Sequence, residues 1–210
     1  KKVKKILEMV CINCSKVKLD RSDPDFARAV RIREPKSRFQ KVWEMCAKKT
    51  KCDNENVDIV DPNNPNGKLS HNHGGCGNNL PQIRHSALTL SLQYPEEKQE
   101  DGTKRKVDKT PISPEQVLNI LRRISDDDQR DMGLSSDYAR PEWLIVTVLA
   151  VPPPPVRPSI SMDGTGTGLR NEDDLTYKLS DIIRANSNVK QAIREGSPAH
   201  ILRDFEQLLQ

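Results

Sequence analysis

Five cysteines carry the most chemistry in this 210-residue chain. Cys11-Ile-Asn-Cys14 places two thiols on one tight loop, a spacing at which both can turn onto a single ion. The other half of such a site is irregular, with Cys46, Cys52 and Cys76 available and His71 and His73 close by. Cys46 shares a helical face with Val42 and Trp43 and reads as core. Cys52 falls just past that helix, and Cys76 sits in "HGGCGNN", where glycines let backbone fold closely around a thiolate. The spacing therefore favours a zinc site of Cys11, Cys14, Cys52 and Cys76. A three-cysteine site completed by His71 or His73 is the rival, and unliganded thiols are the plain alternative. Four thiolates around zinc leave no position for water, so the expected site is structural.

No comparable set of groups points to catalysis. Walker, GxSxG and HExxH patterns are absent. "DGTGTG", within 163–168, has three glycines but lacks the Lys-Ser/Thr and the direct strand-to-helix passage of a phosphate loop. Of the acidic clusters, Asp126–Asp128 in "SDDDQRD" follow a helix and Glu172–Asp174 in "NEDD" open the next one, where the helix dipole favours them; capping explains them better than metal binding.

Composition sets the surroundings. Apolar content is 34 % and charged content 30 %, and no run of 18 apolar residues occurs. Residues 1–52 hold 16 Lys/Arg against 6 Asp/Glu, whereas the remainder holds 18 against 24. A basic first quarter suits nucleic acid or an acidic partner, or it is simply a solvated basic face. The odd cysteine count does not resemble a secreted disulfide framework, so a reduced, intracellular setting is expected, without a signal peptide. The chain lacks an initiator Met and reads as a piece of a longer protein.

The elements that must position these residues follow from local pattern. Two helices are expected after Cys14, the first capped by Ser22 or Asp23 with Pro24 in its first turn. Phe39, Val42, Trp43 and Cys46 mark the second. Residues 52–79 read as loop. "PQIRHSALTLSLQY" reads as one half-buried strand through Leu88, Leu90, Leu92 and Tyr94. Residues 95–106 read as a charged hairpin loop or a disordered insertion. Ser113 and Pro114 open a helix with Val117, Leu118, Leu121 and Ile124 inward, and Gly133 is a helix stop. Trp143–Val151 reads as a buried strand.

"AVPPPPVRPSISMDGTGTGLRNEDD", 150–174, has a stiff proline entry, a soft glycine tip and an immediate helical restart, as in a loop held out for contact. Leu175, Leu179, Ile182, Asn186, Val189 and Ile193 then recur at heptad spacing. Gly196 stops that helix, and Ser197-Pro198 can start a second with Ile201, Leu202, Phe205, Leu208 and Leu209 apolar. A helical hairpin with a protruding coiled-coil character is expected over 172–210, its first helix reaching roughly 30 Å.

Taken together, "VCINCSKVKLD", "KC", "GGCGNNLPQIR", "RPEWLIVTVLAVPPPPVRPSI" and "EDDLTYKLSDIIRANS" resemble the clamp region of the largest subunit of eukaryotic RNA polymerase II, with a fungal cast. The resemblance covers essentially the whole chain. It implies a helix-rich α+β fold with short antiparallel strands and a coiled-coil hairpin. It also implies a zinc-binding clamp head over 1–142, a strand and proline brace over 143–158, a lid-like loop over 159–173 and a coiled-coil hairpin over 174–210.

The family's four-cysteine zinc set maps onto Cys11, Cys14, Cys52 and Cys76. Its lid lies at the upstream end of the RNA–DNA hybrid, which makes Arg157, Met162 and Arg170 the nucleic-acid-proximal candidates. Its coiled-coil tip docks general initiation factors and a NusG-like elongation factor, which points to Glu195, Gly196, Ser197 and Pro198. Implied partners are the other polymerase subunits, DNA template and hybrid, in a nuclear setting without a membrane. The family's catalytic NADFDGD motif is absent from these residues, as are the bridge helix, trigger loop and first clamp zinc motif, so the chain is expected not to polymerise nucleotides by itself. The insertion at 95–109 carries no role over. A free-standing zinc-stabilised adaptor that binds proteins through its coiled coil is the alternative.

Overall fold

The computed structural model divides the chain into two compact units, Lys1–Val146 and Thr147–Gln210. It describes residues 1–54, 56–61, 64–87, 89–94, 97–98, 104–105, 109–162, 164, 166 and 168–209, with backbone alone for 56–61, 64–72, 97–98 and 104–105. The fold is helix-rich with short antiparallel strands, as the sequence leads one to expect.

In the first unit, α1 (Lys2–Met9), α2 (Pro24–Val30) and α3 (Pro35–Cys46) enclose the core. The Asp23 carboxylate caps α2 by accepting from the N–H groups of Asp25 and Phe26, and Pro24 occupies the first turn without wasting a donor. Ile6, Leu7, Phe26, Phe39, Val42 and Cys46 meet in the interior. Each large apolar side chain so buried contributes about 1.5–3 kcal/mol. Polar heads lock α1 onto α3. Trp43 Nε1 donates to Glu8 Oε2 at 2.8 Å, and Lys5 Nζ lies 4.0 Å from the Trp43 ring centre while donating to Gln40 Oε1 at 2.7 Å.

Strands β1 (Asn56–Asp61) and β2 (Asn64–Asn72) pair antiparallel, with Asn56 opposite Asn72. This corrects the loop expected there. Alternating Val57 and Ile59 supply the strand period, but Asn, Asp and Pro around them mask it, and cross-strand pairing overrides weak propensity. Strands β3 (Gln82–Ser86) and β4 (Thr89–Gln93) likewise replace the single expected strand. The chain reverses at Ala87, which takes φ 51. Ile83 and Leu92 are buried, Leu90 and Tyr94 half-buried, and Leu88 lies outside the described residues. Short strands β5 (Glu97–Lys98) and β6 (Lys104–Arg105) pair within the charged stretch. Strand β7 (Thr110–Ile112) joins the far edge of β4.

Helix α4 (Pro114–Arg122) begins with a full capping box. Ser113 accepts from the Gln116 N–H, and the Gln116 side chain accepts from the Ser113 N–H. Val117, Ile120, Leu121 and Ile124 are its buried face; Ile120 joins the set that the sequence suggests, and Leu118 is only half-buried. Helix α5 (Asp126–Asp131) is capped by Ser125 and places Asp126–Asp128 in its first turn, as dipole-favoured openers. Arg21 grips Asp131 with two hydrogen bonds, at 2.6 and 3.0 Å.

Trp143–Val151 is not a strand. Pro141–Leu144 forms a 3-10 turn, and Val146 and Val148 are 72 % and 86 % exposed. β-branched residues favour an extended chain, but a strand also needs a neighbour, and among the described residues no strand pairs with 145–151.

The second unit holds a 3-10 turn at Pro154–Val156, the paired strands β8 (Ile160–Ser161) and β9 (Arg170–Asn171), and helices α6 (Asp174–Arg194) and α7 (Ala199–Leu209). The two helices pack together as a hairpin. Their seam departs from the expected heptad. Ala185, Val189 and Ala192 are buried, whereas Leu175, Ile182 and Ile193 are exposed. Helix α7 spans about 16 Å against about 31 Å for α6, so it covers only part of its partner, and small alanines admit the closest approach.

Gly133, which ends α5, takes φ +80, and a Cβ there would lie 2.6 Å from the Pro35 carbonyl oxygen. Gly133→Ala should therefore cost at least about 1–2 kcal/mol from the left-handed backbone alone. Urea unfolding of the chain reads this as a lower midpoint; an unchanged midpoint would contradict the packing described.

Candidate metal centre

The Sγ atoms of Cys11, Cys14, Cys52 and Cys76 all lie within 4.8 Å of one another. Cys11 and Cys76 approach to 3.5 Å, and Cys14 and Cys52 to 3.7 Å. A tetrahedron with metal–sulfur bonds of about 2.3 Å has sulfur–sulfur edges of about 3.8 Å. Disulfide sulfurs sit at about 2.05 Å, so these are converging free thiols. The donor set fits one tetrahedral metal ion closely.

Local hydrogen bonds shape the first pair. Val10 and Val17 form an antiparallel bridge where the chain leaves α1. The Cys11 N–H donates to Lys16 O and the Ser15 N–H to Cys11 O, each at 2.8 Å, which closes the knuckle. Ser15 is forced to φ 63, unusual for a residue with a Cβ. The second pair needs a longer device. Strands β1 and β2 carry the chain out and back, and their paired ends, Asn56 and Asn72, bring residues 52 and 76 side by side. The Cys52 N–H donates to Asn78 O at 3.0 Å and the Leu80 N–H to Thr50 O at 2.7 Å.

Backbone crowding then sets the sulfur positions. A Cβ on Gly75 would lie 2.3 Å from Asp53 O and 2.7 Å from Cys52 Sγ, so only glycine fits beside that thiol. The Cys76 N–H donates to Cys52 Sγ, and Asn78 Nδ2 donates to Cys76 Sγ, each at 3.4 Å. Such donors stabilise negative sulfur. Leu80 seals one side and is 4 % exposed.

The thiols differ in acidity. Burial pushes Cys11 and Cys52 up, against backbone N–H groups that favour their thiolates. At Cys76 burial also raises the pKa, but the Asn78 N–H and the neighbouring thiols outweigh it and bring the group down to about 7. A cation that binds here displaces protons, so its affinity falls as pH falls. Cys46 stands apart. It is fully buried in the core, and desolvation pushes its thiol up to about 12. His73 is outside the sulfur cluster, with Nδ1 4.0 Å from Asp20 Oδ2, and the side chain of His71 lies outside the described residues.

The model for the family described as RNA polymerase Rpb1, domain 1, matches residues 1–210. The chain belongs to that family. It is thus part of the largest subunit of an RNA polymerase, a nucleotidyltransferase that works with other polymerase subunits on DNA and RNA. No helix among the described residues is long and apolar enough to cross a membrane.

The remaining candidates of this polymerase domain lie in the second unit. Arg157 is half-buried; its Nε donates to Pro152 O at 2.8 Å and its guanidinium to Thr176 Oγ1 at 3.3 Å, tying the proline run to the start of α6. Arg170 donates to Ser159 Oγ and Ser159 O, both at 3.1 Å, across the neck formed by β8 and β9. Met162 is 60 % exposed beyond that neck. Glu195–Pro198 forms the α6–α7 link, where the Ser197 N–H returns to Ala192 O at 3.0 Å and the Gly196 N–H to Ile193 O at 3.2 Å, a Schellman closure. Sequence reading overlooked the bracing role of both arginines, because it depends on partners 5 to 19 residues away.

Cys52→Ser should lower bound metal to well below one ion per chain, whereas Cys46→Ala should keep it. Elemental analysis of purified variants decides this; equal metal in both would remove Cys52 from the ligand set.

Proposed function

We propose that this chain is the clamp region of an RNA polymerase II largest subunit and acts in the nucleus. Residues 1–142 form a zinc-stabilised head, 143–158 a connecting brace, 159–173 the lid and 174–210 the coiled-coil hairpin. Zinc is the ion of choice for four thiolates, since a closed tetrahedral sulfur site suits a structural, redox-silent metal. Cys11, Cys14, Cys52 and Cys76 hold it, and its role is to fix the fold rather than to react.

The observation that carries the reading is the braced loop. Arg157 anchors the proline run, Arg170 pins the neck, and exposed Met162 and Leu169 flank a tip with three glycines. A loop held at its base and apolar at its rim can stand between strands of nucleic acid and displace the transcript without reading sequence. Met162 serves as the wedge. Arg170, already bound to Ser159, positions the neck close to the hybrid. Positive residues of the head retain DNA through its phosphates. Several cations of 1–52 are committed internally, among them Lys5 on Trp43 and Arg21 on Asp131, so only the rest serve that purpose. The Glu195–Pro198 turn is the docking point for initiation factors and a NusG-like elongation factor.

Deleting residues 162–169 in a reconstituted polymerase should lengthen the RNA–DNA hybrid and raise the ribonuclease H-sensitive fraction of the transcript several-fold. Unchanged transcript displacement would overturn the lid assignment.

A further inference from the structure

The stretch that carries Cys76, "HGGCGNN", is the least constrained part of the sulfur cluster. Gly74 and Gly77 take φ +67 and +73, and glycine offers little resistance to rotation at either. Such a stretch holds a sulfur in place when both its ends are tied. The far end is tied by backbone. The Cys52 N–H donates to Asn78 O at 3.0 Å, and Lys51 and Asn79 form an antiparallel bridge. The near end is tied by a side chain: Lys16 Nζ donates to His73 O at 3.0 Å.

The first knuckle sets Lys16 up for this. Its own carbonyl accepts from the Cys11 N–H at 2.8 Å, so the backbone and side chain of one residue serve both halves of the centre. Its side chain runs close past Gly74, where a Cβ would stand 2.8 Å from Nζ and 3.9 Å from Cε. The His73 ring faces the same stretch, with Nδ1 4.0 Å from Asp20 Oδ2. The two ties differ in strength. Cys52 is fully buried, whereas Lys16 is exposed and water competes for its ammonium. Local opening starts where the ties are exposed and few.

We propose that Lys16 is the latch of the four-cysteine centre: by holding His73 it keeps the glycine-flanked Cys76 in place, and the centre opens to release its ion from that end. This rests on the four-thiolate zinc reading above. Lys16 is a positioning residue that acts through the His73 carbonyl, not through a sulfur. Because the contact is exposed, its loss should speed release of the ion without loosening the rest of the fold.

Zinc transfer from the full 210-residue chain to an excess of a chromophoric chelator reads the release rate. Lys16→Met should release zinc about three- to tenfold faster, the range set by one lost hydrogen bond. It should keep one zinc per chain and the metal-free thermal midpoint of the parent. Lys16→Arg can still donate and should release at close to the parent rate. Hydrogen exchange in zinc-loaded Lys16→Met should quicken at 74–77 and not at 11–15. An unchanged release rate in Lys16→Met, equal acceleration in Lys16→Arg, a lowered metal-free midpoint, or exchange raised equally in both stretches would overturn the latch and leave the zinc site standing. A parent chain that binds no zinc would overturn both.

Discussion

Four sulfurs packed within 4.8 Å in a mostly buried position are the constraint on which the first unit turns. As thiolates they repel one another, and as thiols they form only weak hydrogen bonds. A single divalent cation would resolve the conflict, and binding it would then be part of the free energy of folding. The sulfurs come from residues 65 positions apart, so such an ion would close a long loop that a small core would hold only weakly. Everything between answers to that closure. Helix α1 delivers Cys11, the knuckle turns Cys14 back, α3 ends six residues before Cys52, and the β1–β2 excursion returns the chain at Cys76.

The two units are held by different means. The first combines a contiguous apolar core with a sulfur cluster, capped helices and polar clasps such as Trp43 on Glu8. The second buries little: Ala185, Val189 and Ala192 are its only buried apolar residues among those described. Its order comes from backbone stiffness and arginine clasps instead. Prolines preset the chain before the loop, Arg157 and Arg170 tie its base, and a Schellman turn joins the helices. Exposed Val148, Leu149 and Val151 continue this pattern of apolar surface left uncovered.

Legibility in the sequence followed the range of the interaction. Helix starts at Asp23 and Ser113 depend on side chains two or three residues away, and residue type alone reveals them; the short helix opened by Ser125 was not legible, because the acids after it pass as the tail of the preceding helix. The cysteine set was legible because ligand chemistry restricts the choice to few residue types, and because Cys46 betrayed itself by helical phase. The β1–β2 hairpin was not legible, since its pairing runs across a segment rich in Asn, Asp and Pro. The heptad misled because a seam is set jointly by two helices, and α7 is about half the length of α6. Gly75 was equally hidden: it matters through a carbonyl 2.3 Å from where its Cβ would stand.

The most direct measurement is X-ray absorption at the zinc edge of the purified chain. A single shell of four sulfurs at about 2.3 Å, with one zinc per chain, is the expected result. A shell of three sulfurs with one nitrogen or oxygen, or the absence of stoichiometric zinc, would contradict the four-cysteine centre on which the rest of this fold depends.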